Sequence, residues 1–209
     1  MISFLFSISL SFGGSLGFFD FSCFNKHLLF LEKRAEENGW YGKFENFKEF
    51  MICPELELYP REDIFYYVST GFYFNEAQGI FTRKEEKIKE EWRFLMLPFY
   101  IGIYSSLKEF SLKTGFDIWV SWLRVKINDS TMRFVSKDIS IRIGILKRFK
   151  KIGIEVFLRG GEISGFSANG KFLWYHEDLG YIYHGDELLY SSRAFIGVEQ
   201  IGIAVRYLF

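Results

Sequence analysis

From Ile201 to the end of the chain, every second residue is apolar: Ile201, Ile203, Val205, Tyr207 and Phe209. Between them stand Gly202, Ala204, Arg206 and Leu208. Side chains on a strand point alternately to opposite faces, so this segment builds one oily face and one small or charged face. The same period of two recurs along the chain, and it confines the fold to sheets whose strands are each half apolar.

Seven further segments carry the pattern. The first strand runs to about Asp20, with Leu16 and Phe18 on the oily face. Next come Phe50–Tyr59, where Ile52, Leu56 and Leu58 oppose Cys53, Glu55 and Glu57, and Ile64–Asn75, where Tyr66, Val68, Phe72 and Phe74 share a face. Trp92–Ser105 places Leu95, Leu97, Phe99, Ile101 and Ile103 together; Pro98, which has no N–H to give a ladder, marks a bulge there. Then Phe116, Ile118, Val120 and Trp122 oppose Asp117, Trp119 and Ser121, with the phase slipping near Leu123, where the strand either bulges or leaves the membrane. The last two segments set Ile139, Ile141, Ile143 and Ile145 against Asp138, Ser140, Arg142 and Gly144, and Ile152, Ile154, Val156 and Leu158 against Gly153, Glu155, Phe157 and Arg159.

Connections alternate between long and short. Residues 21–49 form a structured loop in which Asn25 caps a short helix, Leu28, Leu31 and Ala35 supply its stripe, and Asn38-Gly39 ends it. Pro60-Arg61-Glu62-Asp63 is a turn. Glu76–Glu91, crowded with Lys and Glu, is a solvated loop or a pair of strand ends above a bilayer. Asn128–Lys137 is a loop, Lys147–Lys151 turns the chain, and Gly160–Arg193 is a long Gly- and Tyr-rich loop. The expected fold is all-β: an eight-stranded antiparallel up-and-down transmembrane β-barrel, with a short helix in the first long loop and residues 1–209 as one domain. Residues 1–12 read equally as the start of the first strand or as the remnant of a secretory signal.

Composition agrees. Aromatic residues make up 21% of the chain, Phe supplies 26 residues and Pro only 3, a balance that favours strands. The 26 basic and 26 acidic residues leave no excess to attract nucleic acid. No apolar run approaches the roughly 18 residues of a membrane helix, and a barrel needs none. Cys23 and Cys53 lack metal-ligand spacing and read as two small, partly buried thiols; whether they pair is left open.

With the apolar phase outside, the opposite phase gathers Glu55, Glu57, Asp117, Asp138, Arg142, Glu155, Arg159 and Arg206 inside. A barrel of eight strands has room only for side chains, so these charges are expected to close into a polar network. The reverse assignment would put them in hydrocarbon, at about 2–4 kcal/mol for each Lys or Arg at the midplane. A soluble lipocalin-like barrel, with ligand inside and water outside, shares the same period and remains an alternative.

This pattern resembles the small outer-membrane barrels of Gram-negative-type bacteria, the group of the OmpA transmembrane domain and the OmpW-like proteins. The resemblance spans the whole chain and is most specific at Ile201, Ile203, Val205, Tyr207 and Phe209, similar to the signal such proteins present to the barrel-assembly machinery. It implies residence in the bacterial outer membrane, contact with its lipid including lipopolysaccharide, and exposed outer loops. The group includes structural anchors, adhesins, narrow channels and lipid-modifying enzymes, so no activity carries over.

The expected role is structural or surface-binding; a lipid-modifying enzyme or a narrow channel on the same scaffold is the alternative. His176-Glu177-Asp178 followed by His184-Gly185-Asp186 is a loose set of acid–base or metal-ligating groups. It reads first as part of a solvated loop, and no catalytic residue, metal or cofactor is expected. Trp40, Tyr41, Trp92, Trp119, Trp122, Trp174, Tyr175, Tyr181, Tyr183, Tyr190 and Tyr207 read as an interfacial girdle plus ordinary packing rather than a sugar-stacking surface. Oligomeric state is not legible.

Overall fold

A computed structural model describes residues 8–60, 66–107, 109–187, 189–198 and 200–208. The barrel strands are β1 (Ile8–Phe18), β2 (Phe50–Pro60), β3 (Tyr66–Gly71 continued by Tyr73–Arg83), β4 (Glu86–Leu107), β5 (Phe110–Ile127), β6 (Ser130–Phe149), β7 (Ile152–Gly160) and β8 (Gln200–Leu208). Each pairs antiparallel with its neighbours in sequence, and β1 also pairs with β8, so the sheet closes as an eight-stranded barrel. Closure removes the open edges that an alternating sheet would otherwise expose. One helix, α1 (Ser22–Glu37), lies in the first long connection.

The strands are unequal. β4, β5 and β6 run 22, 18 and 20 residues, while β7 and β8 have 9 each. Of the two readings of Glu76–Glu91 the strand ends hold, and Asn128–Lys137 is not a loop. They are strand extensions that meet in tight turns at Lys84-Glu85 and Asn128-Asp129, where Lys84 and Asn128 adopt φ of 55° and 49°. The 61–63 part of the Pro60–Asp63 turn, the signal-remnant question for residues 1–7, and Phe209 lie outside the described residues.

Extension reverses the chemistry of both faces without changing the phase. On β5 the outward series Phe116, Ile118, Val120, Trp122 continues as Arg124 and Lys126. The inward series Asp117, Trp119, Ser121 continues as Leu123 and Val125, both buried. No slip occurs at Leu123; the surroundings change there. The same switch occurs outside β3 between Phe74 and Glu76 and outside β4 between Leu95 and Arg93; outside β6 the first charge is Lys137, followed by apolar Val135 and then Arg133. Phe74, Leu95 and Trp122 are cross-strand partners, as are Glu76, Arg93, Arg124 and Arg133 in the row above. An oily belt thus ends at a charged rim.

Pro98 does not mark a bulge. β4 keeps one register with β3 on both sides of the break, from Thr70↔Phe99 to Tyr73↔Met96. The interruption at Phe72 lies beside Leu97-Pro98, where proline supplies no N–H, while pairing with β5 runs on through Pro98↔Trp119.

Above the rim, the extended strands, residues 19–49 and residues 161–198 fold into a cap over the barrel mouth. Its core is aromatic. Phe21 stacks on Phe47 at 5.2 Å, Phe24 meets Phe94 edge-on at 4.8 Å, and Phe94 lies 5.5 Å from Phe166. Such ring pairs add about 0.5–1.5 kcal/mol each beyond their burial. The helix starts earlier than expected. Phe21 occupies its N-cap, with Asp20 Oδ1 accepting the Ser22 N–H at 2.7 Å. Asn25 lies inside the helix, and its Oδ1 accepts the Phe47 N–H at 2.9 Å. The helix does end at Asn38-Gly39, with Gly39 at φ 75°. Cys23 and Cys53 are buried free thiols.

Candidate functional site

Two places concentrate chemistry: the lumen below the rim and the cap above it. In the lumen, Glu155 of β7 is the hub. Its Oε1 accepts from Arg142 Nη2 at 3.0 Å, and its Oε2 accepts from Lys113 Nζ at 3.0 Å and Arg206 Nη2 at 2.7 Å. Lys113 also donates to Glu57 at 2.7 Å. Arg206 reaches Glu55 at 2.8 Å and Glu57 at 3.3 Å, and Arg142 lies 3.4 Å from Glu55. Ser15 Oγ donates to Glu55 at 2.6 Å. A second pair sits above: Arg159 grips Asp117 with Nε at 2.7 Å and Nη2 at 3.2 Å, and donates to Tyr73 OH at 3.2 Å.

The two groups hold Glu55, Glu57, Asp117 and Glu155 against Lys113, Arg142, Arg159 and Arg206, all buried. Buried ions are tolerable only when paired and hydrogen-bonded in this way. Rings cover what the carboxylates leave: Arg142 lies over Phe157 at 3.9 Å, Lys113 over Tyr67 at 3.9 Å and Arg159 over Trp119 at 5.0 Å. Glycine makes the space. A Cβ on Gly144 would sit 2.7 Å from Glu155 Oε1, and one on Gly202 would collide with the Phe157 ring.

The sequence reading named seven of these eight charges. Asp138 is not among them: it stands half-buried near the cap, bonded to Ser136. Lys113 lies outside the predicted fifth strand, whose alternation begins at Phe116. Carrying the Asp117 phase back through β5 reaches Lys113 directly. The interior is thus ionic and the isoleucines face away from the axis, the reverse of a lipocalin-like cavity.

The cap packs onto the upper lumen. Phe19 contacts Tyr73 at 4.7 Å and Trp119 at 6.0 Å, joining the aromatic core to the upper lumen pair. His27 on α1 accepts the Ile182 N–H at Nδ1, 2.9 Å away; burial lowers its pKa to about 4. Burial also raises the Cys23 thiol to about 12, so it stays protonated and unreactive.

The two other histidines lie on opposite faces of one hairpin. His176 pairs with Tyr181 on the outer face; His184, opposite Leu173, points inward, meets Phe134 at 5.1 Å and contacts Ala168 O through Nε2 at 3.0 Å. They cannot act on one ligand. Among the described residues no group of three or more His, Cys, Asp or Glu side chains is placed to hold a metal ion. Nor is residues 160–193 a solvated loop; short strands lead through it, and Leu173, Tyr175 and Ile182 are in the cap core. Of the tryptophans, Trp122 stands at the belt's edge, whereas Trp92 and Trp119 are buried.

Fold and interior together define a closed eight-stranded barrel, oily outside and ionic within, beneath a folded cap. No family model matches the chain, and no curated protein matches it. Solved structures with a similar course include the crystal structure of Neisserial surface protein A, NspA, at TM-score 0.48 and 7% identity, covering 97% of both chains. Another is Ail, the attachment invasion locus protein of Yersinia pestis, in complex with the heparin analogue sucrose octasulfate, at TM-score 0.47 and 8% identity, again covering 97% of both chains.

Proposed function

We infer that this chain is an integral protein of the bacterial outer membrane that displays its cap on the cell surface, in a structural or surface-binding role, over a lumen closed to ions. One observation supports the reading above all. The outward face is apolar from β1 to β8 and turns charged along a rim through Glu76, Arg93, Arg124 and Arg133, with Lys137 the first outward charge on β6, while the inward face makes the opposite change. A wall in water throughout would have no reason to reverse. Arg124 and Arg133 stand directly opposite each other just above Trp122 and Val135. Like charges so placed repel, and phosphates of surrounding lipid, lipopolysaccharide included, would relieve them. Ile201, Ile203, Val205 and Tyr207 lie on the outward face of the closing strand, available to the barrel-assembly machinery before β1 docks.

The test is fractionation and reconstitution of the full chain. Recovery in the outer-membrane fraction, extraction only by detergent and a silent planar bilayer are expected. Release into buffer without detergent would overturn the membrane assignment; steady conductance would overturn the closed lumen.

A further inference from the structure

Where β7 and β8 stop, the segment beyond Gly161 carries the barrel wall upward. Ser167 pairs with Val135 of β6 and with Phe172. Residues directly opposite in an antiparallel pair project from the same face. Val135 points outward and Phe134 inward, so Phe172 points outward as well. The register extends this face: Trp174 stands opposite Tyr183 and Arg193, and His176 opposite Tyr181 and Ser191. The reverse face, with Leu173, Tyr175 and Ile182, is packed into the cap.

The outward face is therefore a ladder of half-buried rings. Tyr181 lies 5.4 Å from His176 and 5.6 Å from Tyr183, and Phe172 lies 6.3 Å from Trp174. Phe30 of α1 lengthens it, stacked on Tyr181 at 5.1 Å. A cation stands at each end, Arg34 over Phe30 at 5.5 Å and Arg193 over Phe172 at 4.4 Å.

We propose that this ladder is a saccharide-binding face for the sugar portion of the glycolipid that surrounds the barrel, a proposal that rests on the outer-membrane reading. Three features select this occupant. Ring faces are electron-rich and attract the positive C–H edges of a pyranose, while phenol and imidazole edges meet its hydroxyls; the Trp174 indole N–H donates to Gly185 O at 3.0 Å, which fixes that ring's orientation. The ladder is also continuous with the oily wall. Residues 167–168 rise antiparallel to β6, so residues 171–176 descend again toward the belt and carry the rings into the layer directly outside the acyl chains. Arginines at both ends complement acidic substituents on such sugars.

The experiment uses the full chain folded in detergent micelles. The probe is the outer-membrane glycolipid of a Gram-negative bacterium stripped of its acyl chains, which is water-soluble and keeps the sugars that lie next to those chains. Saturable binding by calorimetry is expected, with a shift of the Trp174 indole N–H resonance. Trp174→Ala combined with Tyr183→Ala should weaken binding at least tenfold, and Arg193→Gln several-fold. Should the double variant fail to fold, Tyr181→Leu and the wild-type indole shift provide the same information. Absence of binding by folded wild type, unchanged affinity in the variants, or capture only of a polypeptide or an unrelated soluble glycan would overturn the proposal. Insertion of wild type into sugar-free phospholipid vesicles is measured alongside: if insertion succeeds and sugar binding fails, the ladder assignment alone falls; if insertion fails, the membrane reading falls.

Discussion

Arg206 and Glu55 meet at 2.8 Å across a strand that lies between them. Arg206 is on β8, Glu55 on β2, and the residue of β1 paired with both is Gly13. The seam that closes the barrel is thus locked by an ion pair passing over a residue with no side chain. A Cβ on Gly13 would also press on the backbone of Val205 and Arg206. Gly13→Val is expected to destabilise the barrel by about 1–3 kcal/mol, the usual range for overpacking. Urea titration in phospholipid vesicles measures this, and an unshifted midpoint would refute the account of the seam.

The Asp117–Arg159 pair offers a second test of the buried charges; Tyr73 and Ser15 link it to the lower cluster. Arg159→Met alone leaves Asp117 charged and unpaired, with an expected loss of about 3–5 kcal/mol. Adding Asp117→Leu removes both charges and should restore most of that stability. A double variant no better than the single one would show that packing around Trp119, rather than charge, holds the upper lumen.

On the outer wall, Ile143 sits in the middle of the oily face of β6 and Lys137 just beyond its upper end. Ile143→Arg should lower stability in vesicles by about 2–4 kcal/mol, and Lys137→Leu should change it by less than about 1 kcal/mol. Equal effects at both sites would contradict a belt bounded between them.

The barrel was legible because its strands carry one period from end to end. Phase alone put Glu55, Glu155 and Arg206 on one side and Ile143 and Ile203 on the other. What phase could not reveal was the height at which the surroundings change. Leu123 looked like a slip because a buried leucine followed inward-facing polar residues; it belongs to the cap, where inside is dry and outside is wet. The same inversion leaves Glu76–Glu91 open between a solvated loop and strand ends above a bilayer, since charged outward residues on an extended strand resemble solvated chain; the strand ends are what form. Asn25 misled for another reason: a residue type favoured at helix starts serves here to hold the loop at Phe47. The cap itself was not readable, since its core draws rings from Phe24, Phe47, Phe94 and Phe166, far apart in sequence.

His27 makes the cap sensitive to acid. The neutral ring accepts the Ile182 N–H at Nδ1, and an imidazolium has no lone pair to do so. Burial lowers its pKa from 6.5 to about 4. Between those values the unfolded chain binds a proton that the folded cap refuses, so stability rises with pH across this window. The contribution is fully present above about pH 6.5 and is lost as pH falls toward 4, an amount of about 3 kcal/mol. His27 lies in the cap, on α1, so the loss is felt there and the cap should loosen as the pH falls. Amide exchange at Ile182 should accelerate between pH 6.5 and 4.5 beyond the intrinsic pH dependence of exchange, while amides of β6 below the rim stay protected. His27→Gln keeps an acceptor near Ile182 without a titrating proton, and its corrected exchange should be flat over the same range. A wild-type profile as flat as the variant's would show that α1 is held against residues 181–185 by packing alone.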